Sequence, residues 1–137
     1  MNLDELKEMI NKDLAIDRSK LSHESAHNPL LYTKYVHIRS EIGLEIKKAE
    51  IEKKQVATQR WLYYSGKGGG KVSPIEYSQA ELKRVMESDE AIIKVDKKLI
   101  LLDIQRELVD EAVKAFNMRN FTIRQIIDWE KFTQGSI

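Results

Sequence analysis

Apolar positions recur along this chain at the three- and four-residue spacings of an α-helix, and no segment alternates with the two-residue period of a strand. Leu3, Leu6, Ile10 and Leu14 predict a short amphipathic helix over 3–14. A second helical stretch follows Ser19 and meets Asn28-Pro29. There an Asn cap ahead of a first-position proline predicts a new or kinked helix from Pro29 to Tyr64, stopped by Gly66. Its stripe is Leu31, Tyr35, Ile38, Ile42, Ile46 and Ala49, after which the seam passes to Lys53, Val56, Arg60 and Tyr63. At 1.5 Å per residue such a helix would span about 54 Å, against a radius of gyration of about 14 Å for a compact domain of this size. Its distal half is therefore expected to lie outside a conventional core.

Ser65 to Lys71 carries four glycines and two lysines and reads as a flexible basic linker or loop tip. Ser73-Pro74-Ile75-Glu76 has the form of a capping box and predicts a short helix ending before Ser88, and Ser88-Asp89-Glu90 predicts another start. From there Ile92, Val95, Leu99, Leu102, Arg106, Val109, Val113 and Phe116 form one stripe, with Leu101, Ile104, Leu108, Ala112 and Ala115 forming a second beside it. A lone surface helix buries an apolar arc of roughly 100°. The wider arc here fits either the central helix of a monomeric bundle or a helix that packs on both its own chain and neighbouring subunits. Thr122-Ile123-Arg124-Gln125 reads as a further capping box opening a last helix over 122–133, ended by Gly135. The fold class is all-α: an extended, hairpin-like helical protomer. It is divided into an N-terminal helical region with its basic loop (1–72) and a C-terminal helical region (73–137) within one continuous domain.

Composition narrows the function. The 137 residues are 42% apolar and 33% charged, enough for one modest core. The longest aliphatic run, Leu99 to Leu102, is far short of a membrane span, and the N-terminus has no basic-then-apolar leader pattern. With no cysteine, disulfide frameworks, thiol catalysis and Cys-ligated zinc drop out, and a reducing cytoplasm is the expected setting. The formal net charge is only +1, yet between Lys47 and Lys71 seven cations (Lys47, Lys48, Lys53, Lys54, Arg60, Lys67, Lys71) face two acids, Glu50 and Glu52.

Three motifs carry candidate chemistry. His23-Glu24-Ser25-Ala26-His27 is a literal H-E-x-x-H, which on a helix can hold zinc between the two imidazoles while Glu24 polarises a bound water. Against that reading, Asn28-Pro29 follows at once, His37 is misplaced for a third ligand, and no strand is available to line a substrate cleft. The glycine loop fails as a phosphate-binding P-loop because Ser65 stands where the first glycine belongs, Val72 replaces the magnesium-binding hydroxyl, and a helix precedes it. Cations flanking Trp61, Tyr63 and Tyr64 combine backbone attraction with stacking faces, which suits unpaired nucleic acid. Solvated cations with aromatics packed on a partner are the alternative.

Residues Lys20-Leu21, Glu24, Ala26, Asn28, Leu31-Tyr32, Lys34, Ser40, Ile42, Glu45, Glu50, Lys53-Lys54, Arg60, Tyr63-Tyr64-Ser65-Gly66 and Gly68 stand in the order and spacing of the UvsY family. These are recombination mediators of T-even-type bacteriophages. The likeness continues through Lys94-Val95-Asp96, Leu99, Phe121, Ile123, Ile126, Asp128 and Phe132. The resemblance implies a protein that is not an enzyme and needs no cofactor or metal. Such a protein binds single-stranded DNA and loads a RecA-like recombinase onto strands covered by single-strand-binding protein, in the host cytoplasm during infection and away from membranes. It also implies a homo-oligomeric ring of six or seven subunits assembled through the C-terminal region. Leu99, Leu101, Leu102, Ile104, Leu108, Val109, Val113 and Phe116 are the expected assembly residues. The family's Leu-Lys-Ala-Arg-Leu DNA motif falls on Ala57-Thr58-Gln59-Arg60-Trp61, so Arg60 inherits the contact while Thr58 lacks the lysine. Lys53, Lys54, Lys67 and Lys71 are expected to replace that charge, with Trp61 and Tyr64 adding stacking. A small zinc hydrolase on His23, Glu24 and His27, and a purely structural helical assembly protein, are the competing classes.

Overall fold

A computed structural model describes residues 1–135 as four α-helices and one 3-10 turn, with no strand among them, so the fold is all-α. Helix α1 (Leu3–Leu14) is opened by reciprocal capping: Asn2 accepts the Glu5 N–H at 2.8 Å, and the Glu5 carboxylate accepts the Asn2 N–H. A 3-10 turn (Arg18–Lys20), capped by Asp17, leads into α2 (Leu21–Ser65), and α3 (Gln79–Glu87) and α4 (Glu90–Thr133) follow.

The structure departs from the sequence expectations in three places, each with a local cause. Pro29 neither starts nor breaks a helix but lies inside α2. Asn28 is not its cap: its side chain is buried, donating to the Phe116 carbonyl at 3.0 Å and accepting from Arg119 at 3.0 Å, so the turn around the proline is held from outside. The first capping box also fails, because Ser73 spends its backbone N–H on the Tyr63 carbonyl at 3.0 Å. The next matching pattern, Ser78 with Glu81, opens α3 instead. Thr122 caps nothing; its hydroxyl turns back to the Met118 carbonyl while Ile123 is fully buried, and α4 runs on to Thr133. Gly66 and Gly135, both at φ 74°, follow the ends of α2 and α4 as expected.

One compact unit comprises Met1–Ile42 and the chain from Gln105, the other Gly43–Ile104, so α2 and α4 contribute to both. In the first unit Leu6 and Ile10 of α1, Leu31 and Tyr35 of α2, and Val109, Ala112, Val113 and Phe116 of α4 form the core. Tyr35 and Phe116 stack with centroids 4.8 Å apart, and the Tyr35 hydroxyl donates to Asp13 at 2.8 Å. Burial and the nearby Asp13 charge push that phenol upward, so it stays protonated.

In the second unit Ile46 and Ala49 of α2 and Ile92 and Val95 of α4 are the buried apolar positions. Half-exposed ion pairs flank them, Lys53 with Asp96 at 2.7 Å and Glu52 with Lys98 at 3.3 Å.

The residues expected to build an assembly surface separate into two groups. Val109, Val113 and Phe116 are buried in the core of their own chain. Leu99, Leu102 and Leu108 are half-buried, while Leu101 and Ile104 are exposed. A further exposed row lies on α4, Met118, Phe121, Trp129 and Phe132, whose last two rings stack at 5.8 Å; Phe121 and Phe132 stand out in the sequence only as family-like positions and not as a surface. The row's spacing of three, eight and three is helical, a signal that the wider stripes upstream overshadowed.

Candidate nucleic-acid interface

The expected DNA-binding residues all belong to the second unit, on the last turns of α2 and the loop that follows. This unit holds 12 basic and 10 acidic side chains, so its excess charge depends on which cations are already paired. Lys47 pairs with Glu50 and Lys48 with Glu45 in exposed contacts of small worth. Lys53 is tied to Asp96. Lys54, Lys67 and Lys71 make no ion pair among the described residues and are exposed. Of the unit's unpaired cations, these three stand on the end of α2 and the loop that follows it.

The loop is tied at its base. The Gly68 N–H donates to the Leu62 carbonyl and the Ser73 N–H to the Tyr63 carbonyl, both at 3.0 Å, so the chain folds back over the end of α2 and satisfies carbonyls that a helix terminus leaves open. This fold-back brings the Lys67 ammonium to 5.2 Å from the Trp61 ring centroid. Trp61 itself is 37% exposed, leaving part of the indole face available for stacking.

Arg60 sits differently. Its Nε donates to Asp89 Oδ2 at 2.8 Å and its Nη2 to the Tyr64 hydroxyl at 3.3 Å, while that hydroxyl donates to the same Oδ2 at 2.7 Å. The guanidinium carbon lies 4.7 Å from the Tyr63 centroid and 5.1 Å from that of Tyr64. Tyr64 is therefore a wall of the arginine site, packed edge-on to Tyr63 and Tyr77, and not an open stacking face. Asp89 is 2% exposed, and its Oδ1 accepts the N–H groups of Ala91 and Ile92 at 2.9 and 3.1 Å, capping α4. Burial pushes its carboxyl upward, but the Tyr64, Arg60 and Ile92 donors outweigh burial and hold it below the ordinary range. The same hydrogen bonds, from Tyr64 first and Asp89 second, raise Arg60 further. The sequence shows Asp89 as a helix start; its arginine partner lies 29 residues away and only folding reveals it.

Thr58, at the position of the family lysine, is exposed and bears no charge. Of the expected residues, folding brings Trp61 to Lys67 and Arg60 to Tyr64, ties Lys53 to Asp96, and leaves Lys54 and Lys71 exposed without such a partner.

The H-E-x-x-H segment lies in the first turns of α2, in the other unit. His23 and His27 stack with centroids 5.4 Å apart. Glu24, however, accepts from Arg119 Nη2 at 2.6 Å and from the Asp17 N–H, so the carboxylate that would polarise a water is bound to a buried guanidinium. Among the described residues no three His, Asp or Glu side chains converge on a metal-sized site. Glu24 is the anchor of an arginine, a role the motif pattern concealed.

A family model described as "Recombination, repair and ssDNA binding protein UvsY" matches residues 9–136. The "Recombination protein uvsY" of Enterobacteria phage T4 is 36% identical over 136 residues, covering 98% of this chain and 99% of that protein. Crystal structures of the bacteriophage T4 recombination mediator protein UvsY superpose on the chain. One lattice gives a TM-score of 0.87 at 36% identity over 98% of both chains. Another gives 0.76 at 30% identity over 98% of this chain and 99% of the other.

Proposed function

We propose, from the premise that the chain belongs to the UvsY family of recombination, repair and single-stranded-DNA-binding proteins, that it is a recombination mediator: a homo-oligomer that grips single-stranded DNA and loads a RecA-like recombinase onto strands covered by single-strand-binding protein. The observation that carries this reading is the half-open indole of Trp61 with Lys67 over it, on a segment whose Lys54 and Lys71 are also exposed and make no ion pair among the described residues. Lysines attract any polyphosphate, and an exposed aromatic face adds stacking that only an unpaired base can use. Duplex DNA hides its faces; a single strand offers them.

The mechanism follows from valency. One subunit's patch, with three unpaired cations, binds modestly, whereas several patches on one particle engage one strand at high effective concentration. Strand bound this way is drawn off the single-strand-binding protein and presented to the recombinase for nucleation. Assembly is assigned to apolar side chains left exposed on α4, in the first unit the row Met118, Phe121, Trp129 and Phe132, and in the second Ile100, Leu101 and Ile104 with half-buried Leu99 and Leu102. Trp129→Asp should break the particle and, with it, multivalent binding.

The test is a titration of a fluorescent single-stranded oligonucleotide at several salt concentrations, with particle mass determined on the same sample. Tight binding whose log K falls by about 0.7 per phosphate neutralised for each tenfold rise in salt, by a particle several times 16.0 kDa, supports the reading. A large particle indifferent to DNA would favour a purely structural assembly protein. Loading is then tested by recombinase activity on protein-coated strands, where no stimulation would sink the mediator role.

A further inference from the structure

We propose that Asp89 is the positioning residue for Arg60: it fixes the inner side of the guanidinium so that the outer edge meets a phosphate of single-stranded DNA. The proposal rests on the DNA-binding reading above and adds to it how the arginine is aimed.

Counting donors leads to this assignment. A guanidinium carries five N–H groups. Asp89 takes the one on Nε, and the Tyr64 hydroxyl takes one of the two on Nη2. Nη1 has no protein acceptor among the described residues. Because no buried side-chain nitrogen or oxygen lacks a partner there, Nη1 reaches solvent. Three N–H groups therefore remain for an incoming ligand, on the two terminal nitrogens that suit bidentate contact with a phosphate.

The holder is rigid and the held group is not enclosed. Asp89 cannot turn away without abandoning the N–H groups of Ala91 and Ile92, and Tyr64 braces its second oxygen at 2.7 Å. The Arg60 side chain remains 34% exposed above it. Tyr63 and Tyr64 limit its rotation. Pairing with Asp89 cancels the arginine's long-range charge, so attraction from a distance falls to unpaired cations such as Lys54, Lys67 and Lys71. What Arg60 supplies is a short-range contact of fixed direction, with its ordering entropy already spent before the strand arrives.

Asp89→Asn separates positioning from charge. Asparagine is a good helix cap and nearly isosteric, so α4 keeps its start. Its amide cannot accept the Nε–H while its oxygen caps the helix. The variant gains one unit of positive charge, and a purely electrostatic account predicts tighter DNA binding. Positioning predicts the opposite: affinity of the intact oligomer for a fluorescent oligothymidylate should fall about tenfold, as for one lost charge-assisted contact, with the salt slope shallower by about 0.7. In an Arg60→Ala background the loss should disappear, leaving at most the slightly tighter binding that removal of an uncompensated negative charge gives, because positioning by Asp89 requires that arginine. Arg60→Lys, which keeps the charge but has no second nitrogen to hold, should bind as poorly as Arg60→Ala.

Equal or tighter binding by Asp89→Asn, or an undiminished effect of it in the Arg60→Ala background, would overturn the proposal. Should Asp89→Asn fail to fold, Tyr64→Phe removes the brace on Asp89 together with the acceptor of Arg60 Nη2; a loss of about two- to threefold that vanishes in the Arg60→Ala background supports positioning, and unchanged affinity overturns it. Wild-type protein that ignores the oligonucleotide at low salt would overturn the DNA-binding reading itself, an outcome distinct from any of these.

Discussion

Each compact unit contains one arginine bonded to a carboxylate at close range, and the two pairs are used in opposite ways. Arg119 is 3% exposed and spends donors on the Leu14 and Ala15 carbonyls, on Asn28 and on Glu24, itself only 14% exposed. Arg60 is 34% exposed over an Asp89 that is 2% exposed, and it spends two donors only. An arginine with its donors spent inward ties helices together; one with its donors half spent has an edge to offer. The accounting of N–H groups, more than the presence of an ion pair, distinguishes an anchor from a candidate contact. Charge follows the same division, since the anchored unit holds 11 basic and 12 acidic side chains while the other has two cations in excess.

The largest expected effect is at Arg119. Arg119→Ala leaves Glu24 and Asn28 without their donor inside the first unit and should cost about 3–5 kcal/mol, read as a lower urea midpoint. A loss under 1 kcal/mol would mean that water replaces the guanidinium and that the pair is no anchor. Asp89→Ala should cost less, about 2–3 kcal/mol, combining a lost cap with lost charge-assisted bonds, because the released Arg60 can turn to solvent. Equal costs for the two substitutions would erase the distinction between the sites.

Acid sharpens the contrast without deleting a side chain. Asp13 in one unit and Asp89 in the other are each driven up by burial and, more strongly, down by their donors, Lys34 and Tyr35 for the first, Tyr64 and Arg60 for the second. A carboxyl held low in the folded state stabilises fully above its unfolded value of about 4 and loses that contribution as pH falls through the folded value. Stability should therefore decline below about pH 4, and Asp13→Asn or Asp89→Asn should each flatten that decline while lowering stability at neutral pH. Unfolding curves from pH 2 to 7 measure it; an unchanged acid limb in both variants would contradict the assignment.

The smallest expected effect is at Lys67. Lys67→Ala should weaken oligonucleotide binding by only about threefold and reduce the salt slope by about 0.7, with no change in stability, since its contacts are the exposed Trp61 ring and solvent. A fall in melting temperature as large as that of Asp89→Ala would show that the lysine clamps the loop and does not serve the strand.

Periodicity alone located the helical segments, because the spacing of Leu3, Leu6 and Ile10, or of Leu31 and Tyr35, is a local property of consecutive residues. The all-α class, the terminating glycines and the region of excess cations were legible for the same reason. So was the UvsY likeness, which resides in residue order. Only the tertiary structure decided what each polar residue does. Glu24 sits in a metal-site motif and binds Arg119, Asn28 looks like a cap and joins that network, and Ser73 competes with Ser78 for one helix start and loses it to a backbone bond. It likewise divided the α4 stripes into core, with Val109, Val113 and Phe116, and exposed surface, with Leu101 and Ile104. Helix formation depends on neighbours three and four residues apart. Whether a charge is spent or available depends on a partner that the chain brings from 29 or 95 residues away.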